Sequence, residues 1–427
     1  MNPINIVQSL LLQNLQTDEK PVSFRPGQII SGEVLKLFPN QFAEVKLGGQ
    51  RVIAQLETPI SANNRYWFQV QPGEGKIHLK VLQGADKIEP KASEESLLKQ
   101  FSLPVSKKNI QLLKFFINEQ LPITKETLAK ASQWLTDHPL IKDGLQAIKV
   151  ILSKGLPFTQ TVYDGVSSLY KDESLPVLME RLQALLSGKE NGPAAAKVTS
   201  MLNDIHSAEK PASQQPAQYM ADQLKNLVKI IGYSYENEVI HALLGRDEIL
   251  NPEKTLKEQV IRLLHENPPE AVKEAAEKVL NKITGQQVIS KEDGPIQQFV
   301  CQLPFTLFDR KTNVTMQWSG RSKADGSIDS DYCRVLFYLS LDFLKEVIVD
   351  FRVQNRMVTI HIANDLEGGA LPLSRLAAPF MDELKSGLEK INFTLLSVKF
   401  TKPFEKSSQK SMPSIIPNQY NKVDVRV

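Results

Sequence analysis

The residue types that could support catalysis or metal binding are few in this chain and lie far apart. Two cysteines, Cys301 and Cys333, cannot supply a disulfide scaffold or, by themselves, a four-ligand zinc site. No two of the six histidines are three or four residues apart, the spacing that places two ligands on one helix face. Neither a phosphate-binding glycine loop before a helix nor a Gly-x-Ser-x-Gly elbow is present. We therefore predict no enzymatic activity, no cofactor and no metal, and the low cysteine content favours a reducing compartment.

One acidic segment comes closest to a cation site. Asp325, Asp329 and Asp331 alternate with small residues in a way that invites a calcium interpretation. The segment lacks the glutamate that an EF-hand places at its twelfth position, and no helical pattern flanks it, so we predict a solvated hairpin loop. An enzyme site assembled from dispersed carboxylates stays open as a third hypothesis, because it would need a pocket that a single sequence does not define.

Aromatic and cationic residues near the start of the chain could bind a ligand. Tyr66, Trp67 and Phe68 follow Arg65 directly, and Arg51 lies in a neighbouring strand pattern. Aromatic faces beside cations are what base stacking on a barrel surface needs. Strand alternation sends Tyr66 and Phe68 to one face and Trp67 to the other, so at most one side is available for stacking. We name Tyr66, Trp67, Arg51 and Arg65 as a candidate ligand surface, with filling of the barrel core as the structural alternative.

These residues belong to residues 24–83, where the pattern is that of β-strands. Several strands alternate apolar with polar residues, and Pro, Gly and Asn turn signals separate them, which predicts a small barrel of the OB or SH3 type. The predicted strands are 28–34, 42–47, 51–54, 66–70 and 76–81. This segment carries seven cations against four anions, an excess equal to the formal net charge of +3 of the whole chain. A nucleic-acid ligand is therefore compatible with the barrel.

The chain of 427 residues is long enough for two to four domains. From about residue 97 the apolar period changes from two to near 3.6, which predicts helices up to residue 285. We predict an amino-terminal helical or flexible segment 1–23, the barrel 24–83, a linker 84–96, a helical domain 97–207, a linker 208–217, a second helical block 218–285, a linker 286–297, a carboxyl-terminal domain 298–403 and a flexible tail 404–427. The fold class is therefore multidomain α+β.

The carboxyl-terminal domain returns to strand patterning and then carries one helix. The predicted strands are 298–303, 313–318, 333–339, 347–353, 357–362 and 394–400, with a helical stripe over 373–391 before the last of them. This order predicts an α+β sandwich. Pro379 lies within the helical stripe, so the helix either kinks there or begins near it.

The sequence predicts neither a cleaved secretory signal nor a membrane span. The first residues carry no cation before Lys20 and no cleavage-like tail, so they are not a secretory signal, and no run approaches the ~20 apolar residues of a membrane span. We predict a cytoplasmic protein without membrane insertion. A non-cleaved signal of the kind read by flagellar-type secretion would leave no such trace, so export by that route stays open.

Residues 339–400 resemble part of a known protein family. The order Leu339-Ser-Leu-Asp-Phe-Leu-Lys-Glu-Val-Ile-Val349, a second strand, a helix with spaced leucines and a last strand resembles the carboxyl-terminal domain of flagellar hook-length control proteins. In that family the first strand reads Leu-x-Pro-x-x-Leu-Gly-x-Val-x-Val. Leu339, Leu344, Val347 and Val349 match, whereas the Pro falls on Leu341 and the Gly on Lys345.

The resemblance implies a non-enzymatic interaction protein whose carboxyl-terminal domain contacts the cytoplasmic part of a type III export gate and controls export specificity. The contact loop implied by the resemblance comprises Leu341, Asp342, Phe343, Leu344 and Lys345. The departures at Leu341 and Lys345 allow a different partner, a lost switch or only a different loop. Family members carry a low-complexity amino-terminal half, whereas residues 24–285 here are patterned as folded domains. The alternative is a nucleic-acid or protein-binding scaffold that uses the basic barrel.

Overall fold

The structure is a computed structural model of the chain. It describes residues 28–47, 50–72, 77–83, 94–95, 97–99, 101–119, 121–136, 141–187, 192–206, 216–236, 239–240, 255–290, 296–307, 310–323, 328–364 and 370–401. The predicted segment 1–23 and tail 404–427 lie outside these residues. The chain divides into two compact units, the first reaching residue 293 and including 300–304, and the second formed by 294–299 and residues from 305 onward.

The first unit begins with a closed β-barrel, as predicted. Its strands are β1 (Ile29–Leu37), β2 (Phe42–Leu47), β3 (Gln50–Leu56), β4 (Arg65–Gln71) and β5 (Ile77–Gln83). The order around the barrel is β1-β2-β3-β5-β4, with β3 and β5 parallel and the other pairs antiparallel. This is the topology of an OB-type barrel.

Alternation of side chains fills the barrel. Val34, Val45 and Phe68 are fully buried, and their neighbours along each strand point outward. Gly32 faces the interior, where an added Cβ would lie 3.0 Å from Cγ1 of Val45 and closer still to Leu47. The interior is therefore packed with side chains and leaves no room for a larger residue at that point of β1.

Helices follow the barrel. They are α1 (Lys107–Asn118), α2 (Lys125–Thr136), α3 (Ile141–Ser153), α4 (Gln160–Ser168), α5 (Leu175–Leu186), α6 (Pro193–His206), α7 (Pro216–Ile231), α8 (Leu256–His265) and α9 (Glu270–Ile289). Side-chain caps begin several of them: the hydroxyl of Ser106 accepts from the N–H of Asn109 at 3.2 Å, which satisfies one of the open donors of α1.

The barrel and the helices of the first unit share one apolar core. Ile29 of β1 belongs to the same buried cluster as Leu112 and Phe116 of α1, and Trp67 of β4 packs against it. A backbone hydrogen bond of 2.8 Å from the N–H of Ile29 to the carbonyl of Ile123 joins the two parts directly. The barrel wall at β1 and β4 is therefore held against the helical part.

Two glycines let α4 and α9 touch backbone to backbone. A Cβ on Gly165 would lie 3.0 Å from the nitrogen of Gly285, and a Cβ on Gly285 would clash with the carbonyl oxygen of Gly165. Helices joined through larger residues stay ~8–10 Å apart, so this approach depends on the missing side chains. The contact packs a helix of the first predicted helical block against one of the second.

A buried lysine lies on the same face of α9. The side chain of Lys282 is 2% exposed, and its amine donates to the carbonyls of Ser168 at 2.9 Å and Lys171 at 3.3 Å. These carbonyls belong to the carboxyl end of α4 and the turn after it, where cations are favourable. Burial lowers the pKa of Lys282 to about 8, although Glu173 acts in the opposite direction.

A polar network continues the buried face of α9. The side-chain oxygen of Gln286 accepts from the N–H of Gln302 at 2.9 Å, and its amide donates to the side-chain oxygen of Gln302 at 3.1 Å. That oxygen also accepts from the N–H of Leu175 at 3.1 Å. The hydroxyl of Tyr233 contacts both glutamines. The network fastens residues 300–304 to the first unit.

The second unit is a sheet with helices, in agreement with the predicted α+β class. The strands of the sheet are β6 (Ile296–Leu307), β7 (Arg310–Ser322), β8 (Ile328–Leu341), β9 (Lys345–Gln354), β10 (Met357–Asn364) and β11 (Thr394–Thr401), in the spatial order β11-β10-β9-β8-β7-β6. Residues 300–304 in the middle of β6 belong to the first unit. Between β10 and β11 lie α10 (Ala370–Ala377), a 3-10 turn (Ala378–Phe380) and α11 (Met381–Lys390). The helical stripe thus breaks at Pro379, and β11 pairs with β10 in parallel.

The helices of the second unit cover one face of its sheet. Leu388 of α11 is buried with Val353 of β9 and with Val358 and Ile360 of β10. Asp350 lies on the opposite face, because it is three residues from Val353 in a strand that alternates. That face combines charged residues with apolar ones such as Leu336, which pairs with Asp350.

We expect Gly285→Ala to destabilise the first unit by roughly 1–3 kcal/mol, because the new methyl group forces α4 and α9 apart. Gly387→Ala in α11 is the matched control, since nothing lies within 4 Å of the added Cβ. It should be neutral or stabilising by up to ~1 kcal/mol. Urea unfolding followed by circular dichroism measures both variants, and equal midpoints would contradict the close helix contact.

The buried amine predicts a pH dependence. Between about pH 8 and 10.5 the unfolded chain keeps the proton of Lys282 while the folded chain loses it, so stability should rise with pH by on the order of 1–3 kcal/mol. Burial raises the pKa of Tyr163 and Tyr170, which reverses the trend above about pH 10. Lys282→Met should abolish the rise in urea midpoint, whereas Lys278→Met, one turn earlier on α9, should keep it. A rise that survives Lys282→Met would assign it to another group.

Candidate interaction surfaces

A row of charged residues crosses the outside of the barrel. Arg65 on β4 pairs with Glu33 on β1, Glu33 pairs with Lys46 on β2, and Lys46 pairs with Arg51 on β3. Glu33, Lys46 and Arg51 lie between inward-facing neighbours and Arg65 precedes buried Tyr66, so all four point outward. Directly opposite residues in neighbouring strands have Cβ atoms ~4.5–5.5 Å apart. The row, called the cation row below, has three positive charges and one negative charge.

Exposed apolar residues accompany the cation row on β2 and β3. Ile53 is 64% exposed and pairs with Glu44, while Phe42 at the start of β2 is half-buried. Arg51 reaches Glu44 at 3.7 Å, but its side chain is 73% exposed, so this ion pair contributes little. The β2–β3 face thus combines cations with apolar surface, and it is the face that OB-type barrels use for oligonucleotides.

Two of the predicted ligand residues, Tyr66 and Trp67, lie on opposite sides of the barrel wall. Tyr66 is 5% exposed in the barrel core, where its hydroxyl accepts from the N–H of Ser61 at 3.1 Å. It cannot stack on a ligand from there, which corrects its place in the predicted surface. Trp67 lies on the outer side of β4, as alternation indicated, and is half-buried against the helical part. Arg51 and Arg65 are exposed members of the cation row.

A cavity of about 220 Å³ lies beside Trp67, between the barrel and the helical part of the first unit. Its barrel side includes Ser31 and Trp67, and its helical side is apolar, with Phe116 and Leu121 among its residues. The cavity wall also includes Glu33, Lys46 and Arg65, so one end of the cation row opens into it. No sequence pattern indicates this cavity, because its wall combines strands with a helix that is distant in sequence.

The loop implied by the family resemblance is a β-hairpin tip in the second unit. Leu341 ends β8 and pairs with Lys345, which begins β9, and residues 342–344 form the turn. Phe343 at the tip is 73% exposed. Lys345 has a φ of +55°, in the left-handed region that favours glycine. The resembled family has glycine at this position.

Asn364 fastens the hairpin from the neighbouring strand. It is 3% exposed, and its side-chain amide donates to the carbonyls of Leu344 and, at 2.9 Å, Glu346. The carbonyls of Leu344 at the end of the turn and of Glu346 at the start of β9 therefore have a buried hydrogen-bond partner. No local pattern around Asn364 marks this role, since the two segments meet only when β10 pairs with β9.

The face of the second unit's sheet that carries Asp350 holds an arginine cluster. Arg334 donates to Asp350 through Nε and Nη2 at 2.7 and 2.9 Å, and Arg352 donates to the same carboxylate at 2.9 and 2.6 Å. Burial acts to raise the pKa of Asp350, but the hydrogen bonds from both arginines outweigh it and hold the pKa below the usual range. The carboxylate of Asp350 thus bridges two guanidinium groups, and the cluster keeps one positive charge in excess.

The described residues give no support for a metal centre. Within them, no three His, Cys, Asp or Glu side chains are grouped to hold an ion. Asp325 of the acidic segment lies outside the described residues, and the carboxylate of Asp329 accepts from the N–H of Asp331 at 3.1 Å. Cys301 and Cys333 are both buried and unbridged. Among the helices that the structure describes, none is long and apolar enough to span a membrane.

Comparisons with known proteins support the amino-terminal barrel and find one distantly similar full-length protein. A family described as the TP0910 S1-like domain matches residues 6–80. The protein YlqG of Bacillus subtilis strain 168, described as uncharacterized, is 21% identical over 94% of this chain and 94% of its own length. No solved structure matches the chain. The amino-terminal barrel is therefore S1-like, and the similarity to YlqG covers both units.

Proposed function

We propose that this chain is a non-enzymatic interaction factor that resembles hook-length control proteins and contacts the cytoplasmic domain of a type III export-gate protein. The observation that carries the proposal is the hairpin tip Leu341–Lys345. It presents Phe343 to solvent on a turn held by Asn364. Exposed aromatic residues on a rigid support are typical anchors of protein interfaces.

The backbone conformation of Lys345 supports this proposal. Glycine in that family suits a tight turn, and Lys345 adopts the backbone conformation that glycine would favour. The turn geometry is therefore compatible with the family pattern despite the change of residue. Lys345 adds a positive charge where the family has no side chain, which favours a partner surface with a negative charge beside an apolar pocket.

Phe343→Asp should weaken binding to the cytoplasmic domain of the export-gate switch protein from the same organism by tenfold or more, because a charge replaces the apolar anchor. The change should leave stability within ~0.5 kcal/mol, since the side chain is exposed. Calorimetric titration of the full chain measures the affinity. Ile391→Asp, at a residue 61% exposed that follows α11, is the matched control.

Two results would count against the proposal. Lack of saturable binding by the unchanged chain would remove the export gate as partner. Equal affinity of the Phe343→Asp and Ile391→Asp variants would keep the partner but exclude the hairpin. Lys345→Gly adds a useful comparison: it relieves the left-handed residue and removes the charge, so weaker binding by a more stable protein would assign the loss to the charge.

The second candidate function is binding of single-stranded nucleic acid by the barrel. The observation that favours it is the cation row beside exposed Ile53 on the β2–β3 face. Phosphate contacts supply affinity without reading sequence, and apolar or aromatic surface accepts the base faces. The barrel and the hairpin belong to different units, so both functions could coexist in one chain.

Replacing Lys46 and Arg51 together by glutamate should weaken binding of a labelled oligothymidylate. It should also reduce the slope of log affinity against log salt by roughly 1.4, because each lost phosphate contact contributes about 0.7 for a single strand. Fluorescence anisotropy at several salt concentrations measures both effects. Lys80→Glu, an equal charge change at an exposed residue of β5, is the control. Salt-independent or undetectable binding by the unchanged chain would reject this function.

A further inference from the structure

The cavity beside Trp67 has the composition of a pocket for a planar ring. The indole of Trp67 lies on one side, and Ile117 and Leu121 contribute apolar surface from the end of α1 and the loop after it. Its volume of about 220 Å³ is below the ~300–1,000 Å³ of pockets that enclose whole drug-sized ligands. The space therefore suits one ring system that enters from a larger molecule outside.

The charges in the cavity wall indicate what that larger molecule carries. Lys46 and Arg65 flank Glu33 across three adjacent strands, which leaves one positive charge in excess. A phosphodiester has a single negative charge and matches this excess, while the apolar interior accepts an uncharged ring. A nucleotide in a nucleic-acid strand has both features: its base is an uncharged planar ring, and the adjoining phosphodiester carries one negative charge.

The cation row connects this cavity to the β2–β3 face. Lys46 lines the cavity and also pairs with Arg51 on β3, so the positive charge continues from one place to the other without a break. The row spans four strands, or about 14 Å at ~4.8 Å per strand spacing. A single strand bound on the β2–β3 face can follow this row to the cavity.

We propose that single-stranded nucleic acid lying along the cation row inserts one base into the cavity, where it stacks on Trp67 while Lys46 and Arg65 contact the neighbouring phosphodiester. The inference rests on the second candidate function and adds a site outside the face that OB-type barrels usually employ. The helical part of the first unit makes this base site possible, because Phe116 and Leu121 form the cavity wall opposite the barrel.

Ser31→Phe tests the base site without removing Trp67. Ser31 pairs with Trp67 in the sheet and lines the cavity, so a phenyl ring there should occupy the place of the base. The affinity of the full chain for an eight-residue oligothymidylate should fall about tenfold, within the range that stacking of one base contributes. The affinity for the matching abasic octamer should not change, since the cations are untouched. Lys80→Glu is the control for a change elsewhere on the barrel.

Tryptophan fluorescence gives an independent readout. The octamer should quench the emission of the unchanged chain, and Trp67→Phe should remove that quenching while keeping most of the affinity, because phenylalanine also stacks. Quenching that persists in Trp67→Phe, or an unchanged octamer affinity in Ser31→Phe, would overturn the base site and leave barrel binding intact. No binding of either octamer by the unchanged chain at low salt would reject the barrel function and the base site together.

Discussion

Three neighbouring residues on α9 determine how the helices around it pack, because each is buried and each needs a particular partner. The amine of Lys282 requires carbonyls, which the end of α4 supplies. Gly285 requires the backbone of α4 at close range, and the amide of Gln286 requires the amide of Gln302. A buried polar group without its partner costs ~1–3 kcal/mol. One helix face thereby fixes the positions of α4, α5 and residues 300–304.

Both candidate surfaces are rigid elements with simple side chains. On the barrel, strand register alone brings Arg65, Lys46 and Arg51 into one row, and the shared core at Ile29 holds the helical wall of the cavity in place. In the hairpin, Asn364 fixes the turn that exposes Phe343. In each case the exposed side chains are of common types. Their positions depend on residues outside the surface, Ile29 in the shared core and Asn364 beside the hairpin.

Period-two alternation was sufficient to predict the barrel strands and the opposite directions of Tyr66 and Trp67, since alternation is a local property. It could not decide which direction was outside, so Tyr66 was wrongly included in the ligand surface. The helix break at Pro379 was also readable, because proline acts locally. The cavity and the roles of Lys282 and Asn364 could not be predicted from the sequence, since each depends on segments that meet only in the folded chain. The contact of Asn364 with the hairpin, for instance, arises from the pairing of β9 with β10.

The left-handed backbone of Lys345 has a consequence for the speed and cost of recognition. The conformational free energy of an L-residue in that region is ~1–2 kcal/mol higher than in its usual conformations. This free energy is part of the folding of the second unit and is not required again on binding. For the binding proposed above, the loop is already positioned by its hydrogen bond to Asn364, so the loop itself would lose little conformational entropy when a partner docks. Association should resemble the encounter of two rigid bodies, with affinity differences among variants expressed mainly in the dissociation rate.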